Sequence, residues 1–212
     1  MCKEDLHQVS EIDREAFPTL WPPANYRREL DNRLAYYIVA CDEEERVEPP
    51  EPKATPPKGF SGLAAKLRQL FNHDRFLGNE LPLSGRGYIF GFAGFWIMAG
   101  ESHITNIAVR EQYRRQGIGE LLLISLLDLT IELGARLITL EGRTSNIAAQ
   151  GLYSKYGFIQ VGLRRGYYTD NREDGVLMSL ENITSIPVEA NLQQLKQAHL
   201  QKWGITAHRV VI

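Results

Sequence analysis

Residue types able to handle an anion or a proton fall in three places along the chain. The first is "RRQGIGE", Arg114–Glu120, where two arginines and Gln116 precede glycines at 117 and 119 and then a leucine-rich run. A helix N-terminus presents backbone N–H groups without intrahelical acceptors and the positive end of its dipole. With Gly117 and Gly119 lacking Cβ atoms, a phosphate can approach the main chain, and Arg114 and Arg115 add charge, so the segment suits a pyrophosphate. The second is Glu141, at the end of "RLITLEG", the strand end where open α/β sheets place ligands. The third is Tyr153, in "SNIAAQGLYSKY", a phenol able to donate a proton. Each residue type also fits a plain structural role. These are a tight turn with solvated arginines, a carboxylate paired with Arg143, and an amphipathic tyrosine capping the core with Tyr156. The glycine spacing is neither a dinucleotide-binding fingerprint nor a nucleotide P-loop, since no third glycine or Gly-Lys-Ser/Thr follows.

The elements that must hold these residues follow from periodicity and punctuation. Residues 3–16 read as a helix, with Leu6, Val9, Ile12 and Phe17 at helical spacing, and "ANYRRELDN" as a short second one. "LAYYIVAC" (34–41), "YIFGFAGFWIM" (88–98) and "HITNIAV" (103–109) read as strands of a meander. A helix over 118–133 stops at Gly134, a strand covers 136–142, a helix covers 145–156 and Gly157 ends it. "FIQVGLRR" and "GVLMSL" are further strands around the turn "TDNREDG". Ser185 caps a last helix with Pro187 at its first position, Val188, Leu192 and Leu195 on one face and an end near Gly204. The fold class is therefore α/β, a mixed and mostly antiparallel sheet flanked by helices. The main domain is 1–182, carrying a Pro/Glu-rich insertion at 42–86 with one amphipathic face of Leu63, Leu67, Leu70 and Phe71. Residues 183–212 add the helix and a possible strand, "ITAHRVVI", which would pair with 34–41 at an open sheet edge.

Composition narrows the function classes. The chain has 212 residues, 43% apolar and 24% charged, with a net charge of −2. That is ordinary globular material with no electrostatic case for nucleic acid. No stretch is apolar enough for a membrane span and no signal peptide opens the chain. Cys2 and Cys41 fit a reducing, cytoplasmic setting. The histidines His7, His73, His199 and His208 have no metal spacing, so no metal is expected. His103, at a strand start, is a weaker candidate base than Glu141.

"RRQGIG" after "NIAV" resembles the Arg/Gln-x-x-Gly-x-Gly/Ala loop of the GNAT N-acetyltransferases. "ITNIAVREQYRRQGIGELLL", "LITLEGRTSNIAAQGLYSKYGF" and "RRGYYTDNREDGVLMSL" follow one another as in the RimI-type ribosomal-protein-alanine N-acetyltransferases, and "AFPTLWPPANYRREL" resembles the Ala-Phe-Pro loop near their start. The resemblance covers nearly all of 3–41 and 88–182. Archaeal and eukaryotic N-terminal acetyltransferases are similar in the same places.

The resemblance implies a GNAT fold and acetyl-coenzyme A as co-substrate, with no metal. It makes Glu141 the general base and Tyr153 the general acid. It assigns the coenzyme to backbone groups of Ile107, Ala108 and Val109, to Arg115, Gln116, Gly117, Ile118, Gly119 and Glu120, and to Asn146. It places Phe17, Trp21, Tyr167 and Tyr168 around the acceptor. The strand 103–109 is expected to splay from 136–142 so that the pantetheine arm pairs with it. Gly142 departs from the family, which carries a larger apolar residue there. The acceptor implied is a protein N-terminal α-amine, with a ribosomal-protein alanine as the family-level expectation. A lysine or small-amine acetyltransferase stays open, as does a non-catalytic module that holds acetyl-coenzyme A.

Overall fold

The run Leu121–Leu133 is apolar on most sides, and a helix of that kind must be enclosed. In the computed structural model, which describes residues 1–18, 24–46 and 87–204, this helix is α3 (Ile118–Glu132). It is packed with Leu122, Leu123, Leu126 and Leu127 essentially inaccessible. Other helices and turns surround the sheet. A 3₁₀ turn Lys3–Asp5 leads into α1 (Leu6–Ala16), followed by α2 (Tyr26–Leu30). After α3 come α4 (Ile147–Lys155) and α5 (Ile186–Trp203).

The strands are β1 (Ala35–Arg46), β2 (Gly87–Met98), β3 (Glu101–Val109), β4 (Leu137–Arg143), β5 (Ile159–Tyr168) and β6 (Glu173–Glu181), in the order β1-β2-β3-β4-β6-β5. Only β3 and β4 run parallel, joined through α3, as a crossover connection requires. One core cluster lies under α3, built on Phe95, Ile104, Ile138 and Leu140. The other lies under α1 and α2, built on Val9, Ile12, Tyr26 and Phe92. The strands and helices expected from periodicity at positions within the described residues are thus present.

Several boundaries differ from the sequence reading. β1 continues through Asp42 to Arg46, with Arg46 opposite Gly87, so the first residues of the acidic segment belong to the meander. β6 begins at Glu173, because Asn171 closes the preceding turn by accepting from the Glu173 amide at 3.0 Å. α5 begins at Ile186, one residue ahead of Pro187. The amphipathic stretch 63–71, the pairing of 205–212 with 34–41, and Trp21 lie outside the described residues.

Candidate active site

β3 and β4 pair from Glu101↔Leu137 to Ile104↔Leu140 and no further, although β3 runs on to Val109 and β4 to Arg143. The cause lies on the other side of β3. Opposite β2 the register jumps between Gly94↔Asn106 and Phe95↔Ile104, leaving Thr105 as an extra residue. A bulge bends its strand and increases local twist, and here it turns the end of β3 away from β4. The Arg110 amide donates to Phe90 O at 2.8 Å. In an antiparallel ladder such bonds recur at every second residue. Ala108, opposite Phe92, therefore turns its backbone groups to β2, while those of Ile107 and Val109 face the gap. Val109 O accepts from Arg114 Nε at 3.1 Å. The assignment of Ala108 to a backbone contact in the gap is corrected on this ground.

Glu141 is the first β4 residue past the last paired rung, Leu140. Its side chain is only 4% exposed. His103 Nε2 lies 3.1 Å from Oε2, and Arg164 Nη1 lies 3.0 Å from Oε1. The Arg164 contact compensates charge but is off the line of a hydrogen bond, so Oε1 has no donor among the described residues. Arg143, the neighbour a bare sequence would pair with Glu141, is engaged elsewhere. It binds Asp170 at 3.0 Å and Glu173 at 3.2 Å and stacks 4.0 Å from the Tyr168 ring centroid. Hydrogen bonds from Ser145 and, further down, Asn171 and Arg143 hold the Glu173 carboxyl down at about 2.

His103 is held in turn by Thr139, whose Oγ1 lies 2.9 Å from Nδ1. Thr139 is directly opposite His103 across the ladder and two residues before Glu141 on the same face. At 37% exposure the imidazole joins a buried carboxylate to solvent. Arg164 does not stand out in the sequence and His103 does so only as a weaker candidate base, because their approach to Glu141 depends on the β3–β4 register and on β5 folding back beside β6.

Tyr153 projects from α4 against the core, its ring 5.9 Å from that of Phe158. Burial pushes its phenol up to about 12, a weaker acid than the ordinary value near 10. Tyr167 and Tyr168 meet edge to face at 5.1 Å. Burial and then the Glu141 charge raise Tyr167. Tyr168 is pushed up to about 12 by burial, with the Tyr167, Tyr153 and Glu141 charges also felt. Glu141, Tyr153, Tyr167 and Tyr168 thus share one locality. Phe17 instead packs on the α1 side of the sheet with the cluster of Val9, Ile12 and Tyr26.

The glycine loop precedes α3 as expected. Leu121 N–H makes the first helical bond, to Gly117 O at 2.9 Å, so the amides of Ile118, Gly119 and Glu120 come before any intrahelical acceptor. Arg115 and Gly117 both have positive φ, 64° and 83°, the alternation that gathers successive N–H groups into an anion nest. A Cβ on Gly119 would meet only Val109 Cγ2, at 3.6 Å. These features fit a phosphate-bearing ligand.

Gly117 has a different reason from the one its spacing invites. A Cβ there would lie 2.8 Å from Cγ and Cδ1 of Trp203, so the glycine makes room for an indole as well as for its left-handed backbone. The Glu120 side chain is also committed, to Lys155 at 2.5 Å and the Tyr156 hydroxyl at 2.8 Å. Burial would raise its carboxyl, but these bonds outweigh that and hold it below the usual range. Gln116 Nε2 donates to Gln112 O at 3.1 Å. Asn146 caps α4, accepting from Ala149 N–H at 3.1 Å, which leaves its amide NH₂ free for a second partner.

Comparison with known proteins bears on the family and the fold. Residues 44–158 match the acetyltransferase (GNAT) family. The chain is 45% identical over 176 residues to an N-alpha-acetyltransferase of Sulfurisphaera tokodaii, spanning 82% of this chain and 86% of the relative. It is 39% identical over 109 residues to the ribosomal protein bS18-alanine N-acetyltransferase of Escherichia coli, spanning 50% of this chain and 72% of the relative. The fold matches a crystal structure of the Escherichia coli ribosomal-protein-S18-alanine N-acetyltransferase. There the TM-score is 0.58 at 24% identity, over 86% of this chain and 90% of that one.

Proposed function

From the premise that this chain is an N-acetyltransferase of the GNAT family, we propose that it transfers an acetyl group from acetyl-coenzyme A to a protein N-terminal α-amine. The acceptor we favour is the terminal alanine of a ribosomal protein. The observation that carries the reading is the position of Glu141, one rung past the end of the β3–β4 ladder, with Oε1 lacking a donor.

An α-amine has a pKa near ~8, against ~10.4 for a lysine side chain. At neutral pH about a tenth of α-amines are already neutral, but only about one lysine amine in a few thousand. A carboxylate is a modest base, and a modest base suffices for the first of these. Glu141 accepts the amine proton at Oε1, directly or through one water. His103 holds Oε2 and Arg164 offsets the charge, so the carboxylate keeps one orientation. Acetyl-coenzyme A supplies the acetyl group as a thioester. The amides of Ile118, Gly119 and Glu120 and the Arg115 side chain hold its pyrophosphate, and Ile107 and Val109 line the gap for its pantetheine arm. Tyr153 remains protonated throughout the physiological range and donates to the sulfur as the carbon–sulfur bond breaks. Tyr167 and Tyr168 flank the acceptor chain, with Arg143 and its acidic partners fixing the ring of Tyr168.

Mass spectrometry of peptide acceptors with blocked or free termini tests the reading. Acetylation of free α-amines, with lysines in the same peptides untouched, is the expected result. Product on lysines alone would transfer the assignment to a side-chain acetyltransferase, and binding of acetyl-coenzyme A with no product on any amine would leave a non-catalytic module.

A further inference from the structure

α5 lies outside the stretch that matches the family, 44–158, yet it reaches the loop the proposed coenzyme needs. Leu192 is buried, with Val188 and Leu195 against the same core cluster. Lys196 pairs with Asp128 on α3. Further along α5, His199 and Trp203 meet Gly117 at the beginning of α3. The two helices therefore run antiparallel, and the last turns of α5 arrive at the N-terminus of α3.

The contacts there are specific. His199 is 3% exposed, and its Nε2 lies 3.0 Å from Gly117 O. A carbonyl only accepts, so Nε2 carries a proton. The same oxygen accepts from Leu121 N–H, so it is fixed from two sides. The peptide unit is planar and trans. Pinning the Gly117 carbonyl therefore fixes the Ile118 N–H in the opposite direction, away from the helix interior, at the mouth of the nest. Trp203 adds shape. Its five-membered ring occupies the space where a side chain at 117 would stand, and its Nε1 is buried without an acceptor among the described residues. Among the described residues, ring packing holds the indole there.

We propose that His199 and Trp203 are positioning residues of the coenzyme site, setting the 115–119 loop in the conformation that takes a diphosphate. This rests on the acetyl-coenzyme A reading above and adds a C-terminal helix to it. Neither residue touches the reacting atoms. Their effect is confined to the phosphate end of the ligand, and the pantetheine slot along β3 is independent of them.

The test compares two ligands on the full chain by calorimetry, coenzyme A and pantetheine, which lacks the phosphates. His199→Leu and Trp203→Ala are expected to weaken coenzyme A about tenfold while changing pantetheine by less than twofold. His199→Gln, which keeps an N–H donor, and Trp203→Phe, which keeps a ring, should each recover most of the loss. As a second readout, the amide resonances of Ile118 and Gly119 should move on adding inorganic pyrophosphate to the wild type and move less in His199→Leu. If His199→Leu or Trp203→Ala does not fold, His199→Gln against His199→Asn, whose shorter amide falls short of Gly117 O, carries the same comparison. Unchanged coenzyme A affinity, or equal weakening of both ligands, overturns the proposal while leaving the coenzyme reading intact. Wild-type protein that binds neither coenzyme A nor pyrophosphate overturns both.

Discussion

Replacing Tyr153 by Phe removes one hydroxyl and keeps the ring that packs against Phe158. The size of the effect follows from burial. The phenol stands at about 12, against ~8.5 for an ordinary thiol. Complete transfer of its proton to a free thiolate is uphill by about 3.5 pKa units, or about 5 kcal/mol. With the phenol at its aqueous value near ~10 the same transfer would be uphill by only about 2 kcal/mol. The buried phenol therefore acts mainly as a hydrogen-bond donor to developing negative charge, a role that contributes about 1.5–3 kcal/mol. Tyr153→Phe should lower kcat by about 10- to 150-fold and leave the Kd for acetyl-coenzyme A within twofold. The assay is steady-state thiol release with an α-amine peptide, blank-corrected for thioester hydrolysis, from pH 7 to 10.5. Because the phenol stays protonated over that range, the wild-type rate should show no alkaline limb from it. A limb centred near 10 that disappears in Tyr153→Phe would refute the burial argument, and a loss under threefold would remove Tyr153 from the reaction.

Three further outcomes are expected. Glu141→Gln keeps shape but cannot accept a proton. Acid–base groups typically contribute ~100- to 10,000-fold, so turnover should fall by at least about tenfold, with coenzyme affinity intact by calorimetry; near-wild-type turnover would make His103 or water the acceptor. Asn146→Ala removes the α4 cap, whose side chain accepts from Ala149 N–H, and should destabilise the protein by about 1 kcal/mol, read as a lower urea midpoint. Tyr37, Tyr153 and Tyr168 are raised by burial from 10.0 to about 12. A pKa higher in the folded state gives stability that is complete below pH 10 and lost as pH rises through about 12. The urea midpoint should therefore fall above pH 10, and a flat midpoint up to pH 11.5 would contradict this.

The elements were legible because their signals are local. The all-round apolarity of Leu121–Leu133 and the αL glycines at 134 and 157 act within a turn or two, and the structure has each of them. β1 ran past its expected end because its extension is decided by a partner, Tyr88 opposite Asp42, and the acidic composition of that stretch says nothing about pairing. In the site, the family resemblance singled out Glu141 and Tyr153 as candidates, but their surroundings are non-local. His103 faces Glu141 only because Thr139 is opposite it in a parallel ladder. Arg164 arrives from an edge strand separated from β4 by β6. Gly117 shows the limit most sharply: a glycine in an anion loop invites a ligand explanation, and its closest neighbour is an indole 86 residues later.

A single irregularity connects the two halves of the proposed chemistry. Thr105 is the extra residue in β3, and the β3–β4 ladder ends one residue earlier, at Ile104. Had the ladder continued, Thr105 would face Glu141, and the backbone groups of Ile107 would be spent on β4. The carboxylate would then sit inside a continuous sheet, with no approach for an amine, and the slot for an extended arm would be closed. With the bulge in place, Glu141 stands at the apex of the opening and Ile107 and Val109 line one wall of it. The proposed proton acceptor and the proposed coenzyme slot both depend on the same break in pairing, which is why the reading of one supports the reading of the other.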